Sequence, residues 1–162
     1  MVQFPAPTPP RSPAPDLSRR FSWHSVMRSE SLTDGDRALI EAAEALLWER
    51  FVPDRHRCAA AVRAESGTVY TGINLLPELG VAGVHAEPIA VGQAVAEGET
   101  AIDTSVAVVY EDDDPSGDTA VVAACGVCRE LLYGFAPQAR ILVSNEDGLR
   151  KVPVADLLPC KS

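Results

Sequence analysis

Between Asp36 and Leu47 the apolar residues Leu39, Ala43, Leu46 and Leu47 recur at helical spacing, while Asp36, Arg37, Glu41 and Glu44 supply a polar side. Ser31 to Asp36 is rich in helix-capping residues, and the helix is predicted to end near Val52-Pro53. The period then changes. Cys58–Arg63 and Thr68–Asn74 are short strand-like runs on either side of Glu65-Ser66-Gly67, which reads as a hairpin turn. A second helix is expected from about Ala86 to Ala96, stopped by Gly98. Val106–Tyr110 is a short aliphatic strand, and Val121–Ala124 leads into a third helix at Val127 to about Phe135. Ile141–Val143 and Leu149–Val154 are extended around a turn at Asn145–Gly148, and a short helix follows at Asp156–Leu158. The order α-β-β-α-β-α-β-β-α predicts an α/β fold with one mixed sheet covered by helices.

Residues 1–30 read differently. Six prolines between Pro5 and Pro15 remove backbone donors and few aliphatic side chains compensate, so this stretch is expected to be a flexible tail. Phe21, Trp23 and Val26 are its apolar exceptions. Residues 31–162 are expected to form a single folded domain. The net charge of −9 argues against a sequence-independent grip on nucleic acid, and no apolar run approaches membrane-spanning length. Asp112 to Asp118 is an acidic, turn-rich stretch without the ligand spacing of a calcium loop. Four cysteines, two in a Cys-x-x-Cys and two isolated, and the lack of a signal-like start suggest a reducing, cytoplasmic setting.

The chemistry concentrates in His85-Ala86-Glu87 and Cys125-Gly126-Val127-Cys128. His85, Cys125 and Cys128 are good zinc ligands, and a catalytic zinc keeps its fourth position for water. Glu87, two residues past a ligand, can move protons to and from that water. Both motifs fall at predicted helix starts, where the dipole favours thiolates, and Pro88 suits a first helical turn. Arg129 either hydrogen-bonds a ligand sulfur or is a surface residue. Taken singly, the Cys-x-x-Cys reads equally as a redox pair or half of a structural zinc site. The other candidates for a fourth structural ligand are His24, His56, Cys58 and Cys160.

The two motifs together resemble the zinc signature of the cytidine deaminase superfamily. Gly67 to Asn74 is similar to the hairpin before the active site of its free-nucleoside branch, the branch of cytidine deaminase and blasticidin-S deaminase. The likeness covers about Asp36 to Pro159. It implies an α-β-α sandwich with a five-stranded mixed sheet and, commonly, a homotetramer. It further implies that His85, Cys125 and Cys128 hold zinc, and that a zinc-bound hydroxide attacks the amine-bearing carbon of a cytosine-like ring while Glu87 shuttles protons. Asn74 matches a sugar-contacting position, although an asparagine ending a strand and bonding the next turn reads the same in sequence. Tyr70 and the backbone of Ala86 are weaker substrate contacts by the same likeness, and Tyr70 reads more readily as a packed strand aromatic than as a ligand contact.

The departures concern the substrate. Leu76 stands where a ribose-binding glutamate is usual, which favours a modified nucleoside of the blasticidin-S type over cytidine; Glu78 is a possible substitute. Ala124 replaces a usual proline and Glu130 a usual glutamine, and the C-terminus lacks a pocket-closing aromatic. The expected partner is a small nucleoside-like molecule. The rival readings are another reaction at the same centre, such as purine-base deamination or N-glycosidic hydrolysis, and a non-catalytic module stabilised by zinc.

Overall fold

The computed structural model describes residues 30–111, 117–145 and 148–159. The expected tail lies outside them except for Glu30, whose backbone pairs with Lys151. Most of the acidic stretch after Glu111 also lies outside them.

Helix α1 (Asp34–Arg50) begins at Thr33, whose hydroxyl accepts from the Asp36 backbone while the Asp36 carboxylate accepts from the Thr33 backbone. This reciprocal cap satisfies donors that the first helical turn leaves free. Strands β1 (Cys58–Ala64) and β2 (Val69–Ile73) form the expected hairpin, turning at Gly67 with φ of 91°. Helix α2 (Ala86–Ala96) follows, then β3 (Ile102–Tyr110), β4 (Thr119–Val122), α3 (Gly126–Phe135), β5 (Arg140–Asn145) and β6 (Gly148–Pro153). A 3-10 turn at Val154–Leu157 takes the place of the short last helix.

The strand order is β2-β1-β3-β5-β6, and only β3 and β5 run parallel. A sixth strand joins the five expected. β3 is nine residues long, but β5 pairs with it only at Thr104 and Ser105, and β4 pairs along the rest of that edge from Ala107 to Tyr110. β4 thereby returns the chain along the sheet to Cys125.

Alternation along the strands divides the core into two layers. Ala59, Ala61, Val106 and Val108 pack under Leu39, Ala43 and Leu47 of α1. On the opposite face, Val62 and Ile141 pack under Ala90 and Ala94 of α2 and Leu132 of α3. The result is the α-β-α sandwich, with α2 and α3 side by side on one face. Asp36 does not lie on the polar side of α1, where its spacing had put it. It is fully buried and bonded to Arg63 at 3.0 Å and Lys151 at 3.1 Å, tying α1 to β1 and β6. Among the described residues no helix is long and apolar enough to cross a membrane.

Candidate active site

The starts of α2 and α3 meet over the sheet. His85 is the N-cap of α2 and Cys125 the N-cap of α3, yet neither side chain caps its helix. That position is usually Ser, Thr, Asp or Asn, and leaving the cap unmade costs about 1 kcal/mol. Here the two side chains turn toward each other. Cys125 Sγ lies 3.2 Å from His85 Nδ1, Cys128 Sγ lies 3.3 Å from the same nitrogen, and the sulfurs are 3.6 Å apart. Metal–ligand bonds of ~2.3 Å to sulfur and ~2.0 Å to nitrogen give a tetrahedron edges of roughly 3.5–3.8 Å. The three donors therefore fit one face of a zinc tetrahedron. Among the described residues His56 and Cys58 are not part of this group, and the other two candidates for a fourth ligand, His24 and Cys160, lie outside the described residues.

The local electrostatics also call for a cation. The helix starts had suggested lowered thiol pKa values, but burial, the adjacent Glu87 carboxylate and the Cys125 sulfur all push the Cys128 thiol up. Two sulfurs packed beside a carboxylate favour a bound cation, and a divalent ion would supply the charge.

Glu87 sits in the first turn of α2, only 4% exposed, and lines a cavity of about 260 Å³ with His85, Cys125 and Ala86. The remaining walls are largely small and apolar, including Ala107 and Val109 of β3 and Val122 and Ala123 at the end of β4. Leu76 closes one side.

Asn74 lies at the opposite wall, just past the end of β2. Its Oδ1 accepts from the backbone N–H groups of Arg57 at 2.7 Å and Cys58 at 2.9 Å. Its own N–H donates to the Cys58 carbonyl at 2.9 Å. Asn74 thus ends its strand, but its side chain bonds the facing segment at the start of β1 rather than the following turn, and only the side-chain N–H₂ is left to serve a ligand.

Two expected contacts fall elsewhere. Tyr70 is four residues up β2 from Asn74 and packs against the core beside α2, its hydroxyl reaching Glu99 at 3.3 Å. It does not line the cavity, because four residues of strand carry it about 13 Å along the sheet. Arg129 neither bonds a sulfur nor floats on the surface. It donates to the carbonyls of Ala124 at 2.7 Å and Leu157 at 3.2 Å, clamping the approach to Cys125 against the C-terminal 3-10 turn.

Cys58 is a wall residue that its sequence position had not revealed. Burial, the Glu87 charge and Cys125 push its thiol up to about 12, so it stays protonated near neutral pH. The signal lay in the hairpin register: Arg63 opposite Val69 carries the pairing down to Cys58 opposite Asn74.

Residues 34–144 match the model of the cytidine and deoxycytidylate deaminase zinc-binding region. Blasticidin-S deaminase of Bacillus cereus is 31% identical over 136 residues, covering 83% of this chain and 97% of that protein. The solved cytidine deaminase of Burkholderia pseudomallei superposes with a TM-score of 0.64 at 26% identity, over 81% of this chain and all of the other. That of Bacillus anthracis gives 0.68 at 23% identity, over 78% and 88%, a likeness of fold. With a zinc-binding region matched along most of its length and a three-donor cluster at its centre, this chain belongs to the cytidine and deoxycytidylate deaminase family and is a zinc-dependent aminohydrolase.

Proposed function

We propose that this enzyme deaminates a free cytosine-containing nucleoside, plain or modified as in blasticidin S. The observation that carries this reading is the placement of Glu87. Glu87 is a nearly buried carboxylate in a small cavity beside three zinc donors. Its position suits proton transfer to a ligand. A purely structural zinc site would not need it.

His85, Cys125 and Cys128 are the residues that would hold the metal. Zinc bound there supplies the Lewis acidity that makes water a nucleophile at neutral pH. Glu87 takes a proton as water adds to the amine-bearing ring carbon, and gives it to the ring nitrogen. It then helps the amine leave as ammonia, so that water and a cytosine ring become a uracil ring and ammonia. The apolar walls at Ala107, Val109 and Val122 admit a flat ring and exclude bulk water. Ala86, buried in the same wall, offers its backbone to the ring edge, and Asn74 offers its side-chain N–H₂ to the sugar. Arg129 acts at one remove, by positioning the segment that carries Cys125.

The same reading includes a homo-oligomer in the cytoplasm. Val81 is 89% and Leu79 68% exposed in the segment before α2, and Val127 in the first turn of α3 is 71% exposed. Apolar side chains of that exposure support burial against another subunit. Two thiols that must remain reduced to bind zinc support a reducing compartment.

The test is turnover by the zinc-loaded chain with cytidine, deoxycytidine, cytosine and blasticidin S, following ammonia and the ultraviolet change of the ring. Deamination of any one is the expected result. Zinc at one per chain with all four untouched would overturn the substrate reading and bring purine bases and N-glycosides forward.

A further inference from the structure

Glu30, where the described residues begin, is bound to the sheet edge at two points. Its backbone pairs antiparallel with Lys151 through hydrogen bonds of 2.9 and 3.1 Å, and its carboxylate accepts from Arg140 Nε at 3.0 Å. Arg140 in turn lines a cavity of about 290 Å³, together with Tyr133, Pro137, Gln138, Pro153 and Ala155. We propose that this cavity receives the chain's own segment before Glu30, with Val26 and Met27 as its apolar anchors, and that the seated segment braces the C-terminal half of α3.

Direction and reach favour this occupant. β6 is an edge strand, and antiparallel pairing carried backward from Glu30 and Lys151 leads past Val152 and Pro153 toward Ala155. Pro153 and Ala155 are both walls of the cavity. In such a ladder the next pair to exchange hydrogen bonds is two residues on, at Pro153, and proline has no N–H to give. The ladder is therefore blunted where the cavity begins, and a chain arriving there needs other partners. Met27 and Val26 stand three and four residues before Glu30, about 10–13 Å of extended chain. They are the nearest apolar side chains on that side of it.

The walls suit a peptide. Tyr133, Pro137 and Pro153 offer apolar surface, and the Gln138 amide can both donate to and accept from backbone groups. Charge acts in the same direction. The 29 residues before Glu30 hold Arg11, Arg19, Arg20 and Arg28 against Asp16 alone, in a chain whose net charge is −9. A basic segment is thus tethered to an acidic body, which favours docking on its own domain. The consequence reaches the zinc donors. Tyr133 belongs to α3, and Ala155 to the 3-10 turn whose Leu157 carbonyl accepts from Arg129 at 3.2 Å. A segment seated against Tyr133 and Ala155 holds that turn to the helix that carries Cys128.

Hydrogen exchange of the full chain, read by mass spectrometry, tests the seat without any substitution. Amides from Val26 to Ser29 should exchange at least about tenfold more slowly than in a free peptide of residues 15–29. Replacing both anchors, Val26→Ser with Met27→Ser, should abolish that protection and quicken exchange in 133–140 and 153–157 together. A photo-cross-linking benzophenone side chain at position 27 then locates the seat, and a link to Tyr133 or to 153–155 within one chain is the expected product. Exchange at the free-peptide rate in the unsubstituted chain overturns the proposal, as does protection that the double substitution leaves intact. Loss of protection with 133–140 and 153–157 unchanged overturns the bracing of α3. A cross-link elsewhere in the chain, or none, removes the seat, and a cross-link between two chains gives the cavity to the segment of a second copy instead.

Discussion

Gly72 of β2 lies directly beneath Ala86, so close that a Cβ on residue 72 would stand 2.5 Å from the Ala86 carbonyl oxygen and 2.6 Å from the backbone nitrogen of Ala90. Both obstructing atoms are helix backbone and cannot rotate away. The first turn of α2, which carries His85 and Glu87, therefore rests on the sheet only because residue 72 has no side chain. Gly72→Ala should lift that turn, destabilise the fold by about 1–3 kcal/mol and lower zinc content and turnover together. Urea unfolding with metal analysis of the same sample checks this. Unchanged stability and full zinc would mean that α2 is free to shift.

Glu87→Gln separates the metal from the proton chemistry. The amide is isosteric and Glu87 is not among the three clustered donors, so zinc should remain at one per chain. Without a base or acid at that position turnover should fall by about 10²–10⁴-fold or more. Full activity in this variant would take Glu87 out of the mechanism.

What could be read from the sequence, and what could not, divides by the range of the interactions. His85, Glu87, Cys125 and Cys128 were legible because each pair falls within a few residues at a predicted helix start, and the two motifs together, not either alone, carried the likeness that joined them. The hairpin was legible through the turn ending at Gly67, and the helices through their period. The bonds of Tyr70 to Glu99 and of Arg129 to Leu157 were not legible, because those partners lie 29 and 28 residues away and no local pattern encodes such contacts. Cys58 resembled any small strand residue until pairing with β2 set it against Asn74. β4 was hidden for a different reason: four residues that fill the unused edge of β3 carry too short a pattern to declare themselves.

Asp36 shows how an apparently polar helix position can be a core one. Burial alone would raise its pKa, but hydrogen bonds from the Thr33 backbone and hydroxyl, from Arg63 and from Lys151 outweigh burial and hold the carboxyl at about 2. The folded value lies below the ordinary 3.8, so its stabilisation is complete above about pH 4 and is lost as pH falls toward 2. The shift corresponds to about 2 kcal/mol. Asp36→Asn should remove that share of the acid dependence and cost about 3–5 kcal/mol at neutral pH, because Arg63 and Lys151 lose a buried counter-charge. Urea denaturation midpoints between pH 2 and 7 for both proteins measure it.

Leu76 offers the sharpest test of specificity, since it lines the cavity that holds Glu87. Leu76→Glu places a carboxylate in the cavity that holds Glu87, where it can accept from a ribose hydroxyl and where it adds negative charge. The first effect should favour cytidine, because a site built to accept from a hydroxyl rejects ligands that lack it. The second should disfavour any anionic substituent by like-charge repulsion. Both act in one direction, so the ratio of kcat/KM for cytidine over an anionic analogue should rise by at least about tenfold, one hydrogen bond's worth of discrimination. Were the ratio to stay constant while both rates fell, Leu76 would be a packing residue, and selection of the sugar would have to come from Asn74 or from a neighbouring subunit.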